Sequence, residues 1–445
     1  MNPISIIIPV RIESKEREDN LRFVLSHLLN YSFIYIDIIE SDNEQKFYPM
    51  AHERLRYRFV MDNQTVFHRT RYLNMLLKGA QHSVVGIWDT DIIIEEEQLK
   101  KAIRKIEDGF AMCFPYDGEF RLLNNTESEL VRNGAMTPNS SSGHSLMKRP
   151  SVGGAFLVDR EKYIAAGGEN EDFYGWGPED IERVKRMEIL GLPIARIDGP
   201  CYHLHHPRIS EKGIDQKERL INNQKALLAT CNMNQNLSVN DNSITFPILK
   251  DSINSDFDLN LIGMNGYMGK IISLYSLYQK TNDDNYKLQG EKLLDDIWES
   301  CDTSSPLSYG NGLCGVGVGV EYLIQNQLVE GNADEVLSDI DAIVFNGIDM
   351  RRLSGLDIDN GILGLAYYLF HRLHYRKESE ECNVLNLKIY VIYLIDWIEE
   401  TIIQNGIISK FESHEILFIL SLLHQLNIIN TKIEKLQDFI KTFPV

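Results

Sequence analysis

Val84-Val85-Gly86-Ile87-Trp88-Asp89-Thr90-Asp91-Ile92-Ile93-Ile94 places two carboxylates, one residue apart, between two apolar runs. A short apolar run bounded by polar residues reads as a buried strand, so Asp89 and Asp91 fall at its end and can project into one cleft. Hard carboxylate oxygens suit Mg²⁺ or Mn²⁺ and leave coordination positions for diphosphate oxygens. The same pair also reads as a polar turn capping a following helix.

Working outward, the apolar run Ile4 to Val10 reads as a first strand, Asn20 to Leu29 as a helix and Phe33 to Ile39 as a second strand. A helix follows around Arg69 to Lys78 before the strand Val84 to Trp88. Strands alternating with helices predict an α/β domain with a largely parallel sheet, and ligands of such sheets bind at the carboxyl ends of the strands. The Ile4 to Val10 run is too short for a membrane span or a signal-peptide core and has no basic flank. Six scattered cysteines without a CxxC pair indicate neither a disulfide framework nor a zinc knuckle, and free thiols suit a cytoplasmic location. A formal net charge of −19 argues against nucleic acid or an anionic membrane as a general partner.

Two further segments carry chemistry. Cys201-Tyr202-His203-Leu204-His205-His206-Pro207 concentrates three of the chain's 12 histidines after the strand-like run Pro193 to Ile197. Imidazole suits Mn²⁺ better than Mg²⁺, so a cluster joined to Asp91 favours manganese; solvated or core-bonded histidines are the other reading. The run Gly167 to Glu182 packs six carboxylates, three aromatics and four glycines into 16 residues. Glycines let a loop approach a ligand, and Trp176 offers a flat face to a sugar ring. Glu179 and Asp180 open the apparent helix Ile181 to Leu190. They are placed either to complement its dipole or to take a proton from an acceptor hydroxyl.

Phe67 to Asn74, Asp89-Thr90-Asp91, Ser151 to Ala155, Gly175 to Asp180 and His203 to His206 together resemble the β-1,4-galactosyltransferase family and its bacterial GT-A relatives, in order and spacing, over roughly residues 4 to 210. The resemblance implies a GT-A nucleotide-diphospho-sugar transferase fold and a UDP-sugar donor. It places Arg11, Phe67, Arg69 and Asp89 at the nucleotide end of the donor, Gly153 and Gly154 under the sugar, and Trp176 in a closing lid. Asp91, His203 and His206 would ligate Mn²⁺ (or Mg²⁺). Glu179 and Asp180 would meet a saccharide or peptide acceptor, with Asp180 as general base in an inverting transfer. The family usually has Gly-Gly-Glu-Asp where this chain has Gly177-Pro178-Glu179-Asp180, and proline restricts a loop that should move. Two alternatives stand beside this: a retaining enzyme like the polypeptide GalNAc-transferases, whose motif resembles Gly-Glu-Asn here, and a sugar- or peptide-binding scaffold without turnover.

The polar, Asn-rich stretch from about Thr230 to Pro247 reads as a linker, dividing a 1–232 domain from a 248–445 domain, with 233–247 between them. Beyond it run amphipathic helices such as Lys270 to Gln279, Tyr286 to Glu299 and Leu387 to Ile403. Asn265-Gly266-x-x-Gly269, Asn311-Gly312-x-x-Gly315 and Asn360-Gly361-x-x-Gly364 recur 46 and 49 residues apart, the period of an all-α helical-hairpin repeat; Asn405-Gly406 is a candidate fourth copy. These turns resemble the α/α-toroid of lanthionine-synthetase C-like proteins. No Cys-His-Gly motif is present and Cys314 is the one cysteine in a comparable loop, so the expectation is a shortened, metal-free relative that docks a peptide or protein partner rather than a thioether cyclase.

Overall fold

The computed structural model describes residues 1–207, 214–233, 257–406 and 409–442. The expected linker 233–247 lies outside them apart from Met233. The chain divides into two compact units, Met1–Cys231 and Asn232–Val445.

In the first unit the order is β1 (Ile4–Val10), α1 (Lys15–Leu29), β2 (Ile34–Asp42), β3 (Leu55–Met61), α2 (Arg69–Gly79), β4 (Val84–Trp88), β5 (Ile92–Ile93) and α3 (Glu96–Glu107). There follow β6 (Met112–Phe114), β7 (Phe120–Leu122), α4 (Asn125–Arg132), β8 (His144–Ser145), β9 (Ala155–Asp159), α5 (Arg160–Ala165), α6 (Glu179–Ile189), β10 (Ile194–Arg196), β11 (Cys201–His203) and α7 (Ile214–Cys231). A seven-stranded sheet runs β10-β6-β9-β4-β1-β2-β3. All seven residues of β1 are buried, which is why its sequence is a nearly continuous apolar run, broken only by Ser5, rather than an alternation. The β1–β2, β2–β3, β1–β4 and β6–β10 pairs are parallel, whereas β9 runs antiparallel to both β4 and β6. The sheet is thus mixed, with one reversed strand inserted beside the strand that ends at Asp89.

One boundary moves and one strand is added, each for a physical reason. Helix α1 begins five residues before the expected Asn20, because Ser14 caps it by accepting from the Arg17 N–H. Strand β3 was not expected from sequence. Only one face of it meets the core, and arginines occupy the other.

A second, four-stranded sheet runs β5-β11-β7-β8. Its β5–β11 pairing sets His203 opposite Ile92, and the Leu204 N–H donates to the Asp91 carbonyl at 2.9 Å. The Asp-x-Asp turn and the histidine segment, over 100 residues apart in sequence, are thereby fastened backbone to backbone.

The second unit is helical: α8 (Tyr267–Thr281), α9 (Asp284–Ser300), α10 (Leu313–Gln325), α11 (Ala333–Val336), α12 (Ser338–Asp349), α13 (Ile362–His374), α14 (Cys382–Asn405), α15 (Lys410–His424) and α16 (Asn430–Lys441). Helices α8, α10, α13 and α15 pack in succession, with α9, α12, α14 and α16 against them in turn. The three Asn-Gly turns open α8, α10 and α13 and stack on each other. Asn265 Nδ2 donates to Asn311 Oδ1 at 3.1 Å and Asn311 Nδ2 to Asn360 Oδ1 at 2.9 Å, and the Asn265 and Gly310 N–H groups bond the next turn's carbonyls at 2.7 Å. Both glycines of each turn are required, because a Cβ at either would overlap a backbone carbonyl. Asn405-Gly406 behaves differently: Gly406 terminates α14 with φ +71°, so this pair ends a helix instead of opening one.

Buried charge ties α10 to α13. Arg372, wholly buried, donates to Glu321 at 2.7 Å, to Asp341 at 2.6 and 3.0 Å and to Asp334 at 3.0 Å, and Tyr368 donates to Asp341 at 2.6 Å. Removing one member of such a group strands the opposite charges away from water. Arg372→Ala is therefore expected to destabilise this unit by about 3–5 kcal/mol and to raise amide exchange across α10–α13 while β1 and β4 keep their protection. Unchanged exchange in those helices would show that the network contributes little.

Candidate functional site

The site grows from the end of β4. Because β9 pairs with β4 as far as Trp88↔Ala155, the next backbone bond runs from the Asp89 N–H to the Gly154 carbonyl at 2.9 Å. Gly154 has φ +80°, and a side chain there would press on Phe120 and Ile92, so glycine is the residue that lets the two segments meet. Gly153 lies against α6: a Cβ on it would come within 2.7 Å of Asp180 Oδ2, and its carbonyl accepts from Tyr116 at 2.6 Å.

Asp91, buried, sits between the two imidazoles. Its carboxylate oxygens lie 3.6 Å from His203 Nε2 and 3.3 Å from His206 Nε2, and one potential ligand atom from each residue falls within 4.8 Å of the others. Burial alone would raise Asp91, but His203 and the hydrogen-bonding His206 hold it well below the usual carboxylate range. The same hydrogen bond raises His206. One carboxylate and two imidazoles suit Mn²⁺, Fe²⁺ or Zn²⁺ better than Mg²⁺, and the partial exposure of both histidines leaves room for exogenous ligands. His205 is not in this group. Its N–H donates to Ser128 Oγ at 2.8 Å and its carbonyl accepts from Asn20, which pins that residue to α4 and α1.

On the other side of Asp89, Arg69 donates to it at 2.6 Å, and its second terminal nitrogen is buried without a partner among the described residues. Enclosure in the cleft raises Asp89, as do the neighbouring Asp91 and Asp180, against the pull of Arg69. Asp89 thus lies electrostatically between the Asp91 cluster and Asp180.

Asp180 and Glu179 occupy the first turn of α6, where the helix dipole favours their charge. Asp180 bonds Arg183 one turn on and keeps 35% of its side-chain surface exposed. Glu179 differs. Its Oε2 is buried without a partner among the described residues, and burial, with Asp180 beside it, pushes its carboxyl up to about 8.

Sequence reasoning missed Arg183. Its side chain is wholly buried, 4.5 Å over the Phe156 ring, and it bridges Asp180 to Glu169 at 2.8 Å; Glu169 accepts from Tyr163 at 2.7 Å. An arginine three residues past Asp180 on an acidic helix looks like a solvated i,i+3 partner, and only tertiary contact shows it to be the pivot of the loop.

Arg11 and Phe67 form a separate group at the carboxyl ends of β1–β3. Arg11 donates to the carbonyls of Ser41 at 3.0 Å, Gln64 at 3.0 Å and Thr65 at 3.2 Å, and stands 5.5 Å from the Phe67 ring, which stacks on Tyr72. Much of its donor capacity thus braces the loop after β3. Trp176 is 83% exposed.

Residues 139–207, which include Gly153, Gly154, Trp176, Glu179, Asp180, His203 and His206, match the family model described as the N-terminal domain of galactosyltransferase. No curated protein matches the chain. Among solved structures, the catalytic domain of Drosophila beta1,4-galactosyltransferase 7 complexed with xylobiose is 16% identical, with 49% of this chain and 79% of that one covered at a TM-score of 0.33. A mannosyltransferase from Pyrobaculum calidifontis complexed with GDP-Man and Mn²⁺ is 15% identical, covering 52% and 64% at 0.32. Glucosyl-3-phosphoglycerate synthase from Mycobacterium tuberculosis, complexed with Mn²⁺, UDP and phosphoglyceric acid, is 15% identical, covering 55% and 82% at 0.32. These likenesses are too remote to assign this chain a substrate.

Glu179 gives the site a pH signature. The folded protein keeps on Glu179 a proton that the unfolded chain releases near 4.5, so stability falls as pH rises from there to about 8. Glu179→Gln keeps the neutral shape. It should unfold at nearly the wild-type temperature at pH 5 and above it at pH 9; parallel melting curves across that range would refute a protonated Glu179.

Proposed function

We propose that the N-terminal unit is a GT-A-type, metal-dependent glycosyltransferase moving a hexose, galactose or GalNAc, from a UDP-sugar to a saccharide or peptide acceptor with inversion. The observation that carries this reading is the convergence of Asp91, His203 and His206 on one point beside Asp89, with the partly exposed Asp180 on the far side. Asp91, His203 and His206 would hold Mn²⁺, which when bound neutralises the charge that grows on a diphosphate leaving group. Arg69, with one nitrogen on Asp89 and another without a partner among the described residues, would face the same negative charge. Arg11 and Phe67, at the strand ends, would take the uridine.

Asp180 is the base in this reading. Arg183 takes one of its oxygens and fixes the carboxylate's orientation, and the other lies over Gly153, where the absence of a side chain leaves room for an acceptor hydroxyl. Glu179, protonated at neutral pH and buried at Oε2, would instead donate a hydrogen bond at the acceptor side. The ion pair with Arg183 also weakens Asp180 as a base, and this favours a second reading: a binding protein that holds nucleotide without turnover. For the helical unit, with its row of hairpins, we propose a toroid-like module that docks a peptide or protein acceptor. Deletion of residues 257–445 should then abolish acceptor use and spare donor hydrolysis; transfer by the truncated chain would exclude it.

UDP release from a panel of UDP-sugars, with Mn²⁺ or with chelator, tests the main reading. Turnover of one donor is expected only with metal. Asp91→Ala should lower it at least 100-fold by loss of the ion, and Asp180→Asn by about 100- to 10,000-fold, the scale of a lost general base. Nucleotide binding without turnover of any donor would favour the second reading, and turnover in chelator would remove Asp91, His203 and His206 from the mechanism.

A further inference from the structure

Helix α7 lies beyond the segment that matches the galactosyltransferase model, yet its Asn223 reaches the Trp176 loop. Asn223 is 1% exposed. Its Nδ2 donates to the carbonyls of Tyr174 and Trp176, both at 3.2 Å, and its Oδ1 accepts from the Tyr174 N–H at 3.2 Å. A Cβ on Gly177 would overlap this amide, so the glycine is what allows the loop to seat here. Gly175 beside it adopts φ +76°, a conformation other residues reach only with strain. This buried amide is one fastening of the loop, beside the Tyr174 hydroxyl on the Val66 carbonyl at 3.2 Å and the Thr70 hydroxyl on the Phe173 carbonyl at 3.1 Å, and it is the one that reaches the residue Trp176 itself, which glycines flank on either side. Helix α7 is braced in turn on α6, where Thr230 donates to Glu182 at 3.0 Å.

In this seat the indole has little to pack against: Trp176 is 83% exposed. A large apolar ring left in water gains by covering an apolar face, and a sugar ring presents one. We propose that Asn223 is a positioning residue that latches the Trp176 loop in an open seat, and that the loop must break these bonds to cover an occupied donor site. The inference rests on the reading of the cleft given above. It predicts a sign opposite to that of an ordinary structural residue: loosening the latch favours the covered state and tightens nucleotide binding.

The test uses the full chain labelled with 5-fluorotryptophan. Its four tryptophans (Trp88, Trp176, Trp298 and Trp397) give four resonances, and Trp176→Phe assigns one of them. In Asn223→Ala and in Asn223→Asp, which loses both donated bonds yet keeps the acceptor, the Trp176 resonance should move while the other three stay, Trp88 in the core reporting an intact fold. The dissociation constant of UDP with Mn²⁺ should fall about three- to tenfold, the scale of one ordinary hydrogen bond. An unmoved Trp176 resonance, or a displaced one with unchanged or weaker UDP binding, overturns the latch. Failure of the wild type itself to bind UDP with Mn²⁺ overturns the reading of the cleft, and the latch with it.

Discussion

A wholly buried guanidinium must find anions, and the first unit is arranged around that demand at Arg183. Its two carboxylates come from opposite ends of the Gly168–Asp180 segment, so satisfying one charge closes a loop of about a dozen residues. Loop closure of that length costs entropy, and the ion pairs in a dry setting offset it. With the loop closed, Asp180 is carried to Gly153 and hence to the end of β9. Through the β9–β4 pairing it reaches Asp89, and through the β5–β11 pairing the chain of contacts ends at the two histidines. One buried cation thereby connects residues that the sequence scatters over more than a hundred positions.

The charges along this chain alternate: Glu169, Arg183, Asp180, then Arg69, Asp89 and Asp91, then the histidines. In a protein of net charge −19 an anionic ligand must be met by local rather than global attraction. Arg69 and Arg11, at the strand ends, would supply that local attraction, and salt should weaken such short-range pairs less than it weakens the general repulsion.

What the sequence disclosed depended on how local the cause was. The apolar runs of β1 and β4 and the period of α2 are set by burial of the element's own residues, and their bounds follow from the residues alone. Asp91, His203 and His206 were named as a set through the resemblance to the galactosyltransferase motifs, and the fold brings them together. Arg183, Glu169 and Asn223 were not legible: each is a polar residue on an element that reads as solvated, and its burial arises from contacts made far along the chain. The reversal of β9 was hidden for the same reason, since strand direction depends on the path of the connection and leaves no mark in the residues of the strand. Strand β3 escaped notice because arginines on its outer face dilute its apolar signal.

The stacked turns of the helical unit use the same three groups at every seam: an asparagine amide and two glycines that clear space for a carbonyl. A seam made of identical parts does not distinguish one neighbour from another. Duplication or loss of a whole hairpin would leave the remaining seams matched, so length is a free variable for this architecture. Order is not free, because the buried charges on α10, α11, α12 and α13 are matched to one another. The unit therefore combines interchangeable joints with a keyed centre, and lineages carrying it should vary in repeat number at the ends before they vary in the middle.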